Sequence, residues 1–199
     1  MIQNIKTSKV LLFTLLFVIS AIAIANAQDT FSLKSSTASV QGTSSLHDWE
    51  SQITKVECTG SFQAKSNRLQ SMKNVKVTIA VKGIKSKEGK VMDNKTYDAF
   101  RSKANPFITY SFVNAQIKTG KQDSVNITTK GNLTMAGTSR PIELNAKGKM
   151  LTNGDLQFSF SRKLKMTDFN MKPPKAVLGT IKVGDEITLN FNMVLTHIL

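Results

Sequence analysis

The sequence predicts an all-β protein with one short helix, built from roughly eight antiparallel strands that close into a barrel or stack as a sandwich. Two observations predict it: apolar and polar residues alternate over most of the chain, and turn-forming residues separate the alternating runs. A period of two means extended backbone, because successive Cβ atoms leave it on opposite sides. One dry face and one wet face per strand mark antiparallel pairing.

Residues 1 to 27 read as an export leader: Lys6 and Lys9 form a basic start, "VLLFTLLFVISAIAI" (10–24) an apolar core, and "ANA" (25–27) a small-residue cleavage site. The apolar run is short for a bilayer span of about 20 residues. Residues 28–199 are therefore expected as one mature domain with its own core. In "DWESQITKVECTGSF" (48–62) the apolar parity slips between Ile53 and Val56, which predicts a β-bulge. "VKVTIAV" (75–81) sets Val75, Val77, Ile79 and Val81 against Lys76 and Thr78. "EGKVMDNKTYDAFRSK" (88–103) changes to helical spacing at Val91, Met92, Tyr97, Ala99 and Phe100, with Asp93 placed to cap a turn.

After "VNITTKGNLTM" (125–135), "AGTSRP" (136–141) turns tightly into "PIELNAKGKM" (141–150), where Ile142, Leu144, Ala146 and Met150 share a face. Asn-Gly in "TNGD" (152–155) is a strong hairpin signal. It leads into "LQFSFSRKLKM" (156–166), with Leu156, Phe158, Phe160, Leu164 and Met166 on one side. "TDFNMKPPKAVLGTIKVGD" (167–185) holds two prolines and two glycines and is expected as a long loop or irregular edge. The last strand, "EITLNFNMVL" (186–195), puts Ile187, Leu189, Phe191, Met193 and Leu195 on one face.

Those apolar faces can line an interior or, as in an outer-membrane barrel, face lipid. The polar faces decide between the two. Lys76, Lys82, Lys130, Lys147, Lys149, Lys163 and Lys165 lie on them, and packing so many unpaired cations into a narrow lumen costs several kcal/mol each. One Trp and two Tyr supply no aromatic girdles. The apolar faces therefore point inward. A small barrel is filled by its own side chains or holds one ligand, and composition leaves both open. Met135, Met150, Met166 and Met193 at inward positions favour an adaptable lining.

Little in the chain supports chemistry. With one cysteine and two histidines, no intramolecular disulfide, catalytic residue, metal site or cofactor is expected. Cys58 reads as a small buried hydrophobe. His47 and Asp48, as strand neighbours, would point to opposite faces, and His197 has no partner in sequence. Trp49 is expected to plug one end of the barrel. Asp168 is expected to steady its loop by accepting backbone N–H bonds, and Gly131 to permit a kink that helps the barrel close or a close approach of the backbone to a ligand. Removing Lys6 and Lys9 with the leader takes the net charge from +14 to +12. The lysines are scattered without interleaved aromatics, which excludes a nucleic-acid groove and suits weak contact with an anionic membrane surface.

At "KGNLTMAGTSRPIEL" (130–144) the sequence resembles the YceI-like family of polyisoprenoid-binding proteins, through Gly131, Leu133, Thr134, Gly137, Thr138, Arg140 and Ile142. "SSLHDWES" (44–51), "NPFITYSF" (105–112) and "MTDFNMKPPKAVLGTIKVGDEITLNF" (166–191) match in the family's order, so the resemblance covers almost all of the mature chain. It implies an antiparallel eight-stranded, lipocalin-like β-barrel, exported to the periplasm or secreted, whose lumen holds an isoprenoid lipid such as a quinone. Val77, Ile79, Ile108, Tyr110, Phe112, Leu133, Met135, Phe158, Phe160, Leu189, Phe191 and Met193 are the expected lining, with the Tyr110 hydroxyl available to a head group. A monomer or homodimer is expected. The alternative is a filled barrel that serves as an envelope structural or interaction module.

Overall fold

The computed structural model describes residues 29–121, 123–176 and 179–198; the expected leader lies outside them. The strands are β1 (Asp29–Ser44), β2 (Trp49–Ile53), β3 (Val56–Lys65), β4 (Arg68–Ala80), β5 (Ile84–Ser86), β6 (Phe107–Thr119), β7 (Ser124–Met135), β8 (Thr138–Met150), β9 (Leu156–Lys165), β10 (Lys175–Ala176) and β11 (Ile181–His197). Helix α1 (Lys90–Ala99) sits between β5 and β6. Strands pair antiparallel in the order β1–β11–β9–β8–β7–β6–β4–β3, and β3 returns to β1. This closes an eight-stranded barrel and excludes the sandwich, because closure removes the long open edges.

Burial follows the alternation that predicted it. On β11, Ile187, Phe191, Met193 and Leu195 are buried and Leu189 is half-buried, while all seven lysines assigned to polar faces are exposed. Apolar inside and charged outside is the reverse of a lipid-facing barrel. The parity slip at 53–56 marks a real interruption: β2 and β3 break at Thr54 and Lys55. There the Thr54 N–H donates to the Gly83 carbonyl at 2.9 Å and the Ala80 N–H to the Lys55 carbonyl at 3.1 Å.

The turns differ in detail. Ala136 and Gly137, at φ of 49° and 81°, form a two-residue hairpin of the primed kind that matches strand twist. Asn153-Gly154 instead lies within a longer loop between Met150 and Leu156. The Asn153 side chain accepts the Asp155 N–H at 3.1 Å and donates to the Asp155 carboxylate at 2.8 Å. The expected loop at 167–185 contains a 3-10 turn (Met166–Phe169) and the short β10, which pairs with the start of β11.

Asp93 does not cap α1. Gly89 holds the N-cap position at φ 83° without a side-chain cap, and Asp93 is buried, accepting the Ser86 N–H at 2.7 Å and the Lys85 ammonium at 3.1 Å. Burial acts to raise its pKa, and the Ser86 N–H and Lys85 outweigh burial, holding the carboxyl below its ordinary value. Asp93 thus ties α1 to β5.

Candidate functional site

Inward rows from the strands enclose a cavity of about 170 Å³. Along β11 the inward side chains descend from Ile187 to Leu195, a length of roughly 26 Å at ~3.3 Å per residue. Their partners on β9 are Leu164, Arg162, Phe160, Phe158 and Leu156 in turn. The lowest rungs merge into a packed floor, where Phe31 meets Phe62 edge-on and Phe62 meets Phe158, each at 5.5 Å between centroids. Leu69, Val125 and Leu156 complete the floor and are buried without bordering the cavity.

The other end opens beside α1. Trp49, Glu88, Met92, Lys95, Pro174 and Val183 border both the lumen and a shallower outer vestibule of about 80 Å³ that includes Leu46, His47 and Lys175. Trp49 stands at one end, as expected, but edges the opening. Its indole N–H donates to the Thr43 carbonyl at 3.0 Å, and its ring lies so close to Gly42 that a Cβ there would approach it to 2.5 Å.

Every expected lining residue borders the cavity except Phe112. Phe112 is half-buried and packs on the core; the β6–β7 register shifts between Phe112 and Asn114, and such a bulge bends the strand. Met150 likewise stays outside the lining. Tyr110 lines the lumen with its hydroxyl already engaged by the Thr129 hydroxyl, and burial pushes its pKa up. Gly131 serves this ring: a Cβ would lie 2.4 Å from Tyr110 Cζ. The close approach at Gly131 is to the Tyr110 ring, and on the β6 side the register shifts just beyond its pairing with Phe112. Cys58 is buried in the wall, its thiol pushed up to about 12 by burial.

Other expectations shift. His47 and Asp48 lie in the corner between β1 and β2, not on a strand, and His47 Nδ1 is 2.7 Å from the Asp48 carbonyl oxygen. His197 does have a partner, Asp29, at 3.5 Å, and packs edge-on against Phe31. The loop-steadying carboxylate is Asp185, which accepts the Thr167 N–H at 2.9 Å and hydroxyl at 2.6 Å. Asp168 contributes its carbonyl, which accepts from Arg140 at 2.9 Å. No group of three His, Cys, Asp or Glu side chains suited to a metal occurs among the described residues.

The sequence reading missed the contribution of β1 to β3, including Val40, Ile53 and Phe62, and it missed Arg162. The signal for Arg162 is plain: it occupies the inward parity of "LQFSFSRKLKM", between Phe160 and Leu164.

Charged outside, apolar within and open beside a short helix, the molecule is a lipocalin-like barrel with an internal cavity. Residues 24–195 match the model of the YceI-like domain, and the chain belongs to that family. The fold resembles BcnA of Burkholderia cenocepacia, with 18% identity and a TM-score of 0.60 over 81% of this chain and 96% of that one. It also resembles a polyisoprenoid binding domain from Saccharophagus degradans implicated in plant cell wall breakdown, with 10% identity and a TM-score of 0.65 over 84% and 98% of the two chains. A Campylobacter jejuni YceI protein shares 22% identity and a TM-score of 0.55 over 75% and 84%. No curated protein sequence matches the chain.

Proposed function

We propose that this protein is an exported, non-enzymatic binding protein that holds an isoprenoid lipid, a polyisoprenoid or isoprenoid quinone, in its lumen for carriage or storage in the cell envelope. The observation that carries this reading is the apolar cavity, which opens at one end and is lined from strands all round the barrel. The Saccharophagus degradans domain, described as polyisoprenoid binding, lends support through its shared fold. The cavity of about 170 Å³ has room for roughly a dozen waters, at ~10–15 Å³ of centre-accessible space each. Burial of a chain there contributes about 25 cal/mol per Å² of apolar surface. Methionines at 72, 92, 135, 166, 171 and 193 border it, and their flexible thioethers refit around chains of different shape.

The leader in the sequence supports residence in the periplasm, with secretion as the alternative. Delivery would occur at the mouth, which faces an anionic bilayer. Leu46 beside the vestibule and Val91 on α1 expose 66% and 71% of their surface, among exposed Lys87, Lys90, Lys95 and Lys175. Each lysine near an anionic surface contributes about 1 kcal/mol. Replacing Phe191→Asp or Leu133→Asp puts a carboxylate on the apolar wall and is expected to abolish retention of co-purifying lipid. Undiminished lipid in a folded variant would contradict the reading.

A further inference from the structure

Resting on the lumen reading above, we infer that the cavity selects a single-chain lipid with an anionic head, a carboxylate or phosphate, whose oxygens are bound by Arg162 while the tail runs down to the phenylalanine floor.

Arg162 is the charged rung in an otherwise apolar ladder. It pairs across β9–β11 with Leu189, and its inward neighbours along β9 are Phe160 and Leu164. Phe160 stacks on Phe191 at 5.0 Å between centroids directly below it. Its Nε is buried and has no hydrogen-bond partner among the described residues, and none of their ion pairs involves it. A buried donor without a protein partner calls for an acceptor from outside the chain. The planar fork fits two oxygens of one carboxylate or phosphate.

The surrounding charge agrees. Lys95 and Glu88 also border the lumen, at its mouth; the Glu88 carboxylate is occupied by the Ser86 hydroxyl, which holds its pKa below the ordinary value. Two cations against one carboxylate leave the upper lumen positive. A neutral quinone carbonyl can accept from Arg162 but leaves its charge uncompensated. Position sets the ligand's direction: only the Leu164–Ile187 rung lies above Arg162, and three apolar rungs lie below it. The head therefore sits near the mouth and the tail beneath.

The test is direct titration of the mature protein with dodecanoate, dodecyl phosphate and 1-dodecanol, and with farnesyl phosphate and farnesol, followed by calorimetry and by Trp49 fluorescence. The anions are expected to bind at least about tenfold tighter than the matching alcohols, the weight of a charge-assisted contact. Arg162→Met should reduce that preference to about threefold or less, and Arg162→Lys should retain part of it. Arg162→Met should melt no lower than the parent, because it removes a buried N–H that has no partner among the described residues; should it fail to fold, Arg162→Gln and the parent's own preference decide. Comparison of carboxylate with phosphate, and of dodecyl with farnesyl, separates fatty acids from prenyl phosphates as sources. Equal binding of alcohols and anions, or a preference that survives Arg162→Met, overturns the role of Arg162 and leaves the lumen reading standing. Failure of all five compounds to bind folded protein overturns both.

Discussion

The floor and the upper lumen are built from the same strands by the same alternation, yet they differ in how the inward side chains meet. At the floor, Phe31, Phe62, Leu156 and Leu195 are nearly inaccessible and their rings touch. Toward the mouth, Leu189, Val77 and Ile142 are only partly buried and border the cavity. One region is a core and the other is a container, although both read as apolar faces in sequence. The difference lies in side-chain size and in what closes each end. Large rings fill the floor, whereas a helix, a proline-bearing loop and an indole rim the mouth without sealing it.

That contrast is open to attack by mutation. Phe62→Ala should carry the largest effect, a loss of about 3–5 kcal/mol in urea unfolding, because it removes a ring that is 2% exposed and packed between Phe31 and Phe158. Gly131→Ala should cost about 1–3 kcal/mol by forcing Tyr110 aside, and Tyr110→Leu in the same chain should recover most of the loss if the clash is the cause. Leu189→Ala should cost less than about 2 kcal/mol, since that side chain is smaller and only half-buried. A Leu189→Ala loss equal to that of Phe62→Ala would erase the distinction between floor and lumen.

The smallest effect is electrostatic and exists at both ends. Asp155, at the floor-end hairpin, meets Lys34 at 2.7 Å, and Lys34, followed by Thr196, holds its carboxyl below the ordinary value. Asp93 does the same beside the mouth. A carboxyl with a lowered folded-state pKa binds fewer protons folded than unfolded. Its contribution is complete above the unfolded value of about 3.9 and is lost as pH falls through the folded one. The urea midpoint should therefore fall on acidification below about pH 4, and Asp155→Asn or Asp93→Asn should each flatten the curve. Both lysine partners are half-exposed, with side-chain exposures of 52% and 50%, so the change stays modest. Hydrogen exchange separates the two: Asp93→Asn should loosen α1 at the mouth, and Asp155→Asn the β8–β9 hairpin.

Most of the fold was legible because most strands carry uninterrupted period-two alternation, and the slip at Ile53–Val56 marked the break between β2 and β3. β1 was not, since its pairing with β11 shifts at Leu33–Ser35 and Gly42–Ser44 and its inward positions include Ala38 and Gly42, which carry little apolar signal. In the site, alternation selected inward residues well but had no means of telling a packed rung from an open one. Phe112 shows the limit: it keeps inward parity, and a bulge one residue later takes it off the cavity wall. Arg162 shows the converse. A charge at an inward position reads as a break in pattern, although its parity between Phe160 and Leu164 already puts it on the inward face.

The most direct test of the central claim is to purify the mature protein from its natural host, extract it with organic solvent, and weigh what is released by mass spectrometry. The account predicts about one isoprenoid lipid per chain, the occupancy of a barrel that holds one ligand. A folded protein that releases none, and takes up none when isoprenoid lipid is added, would contradict it.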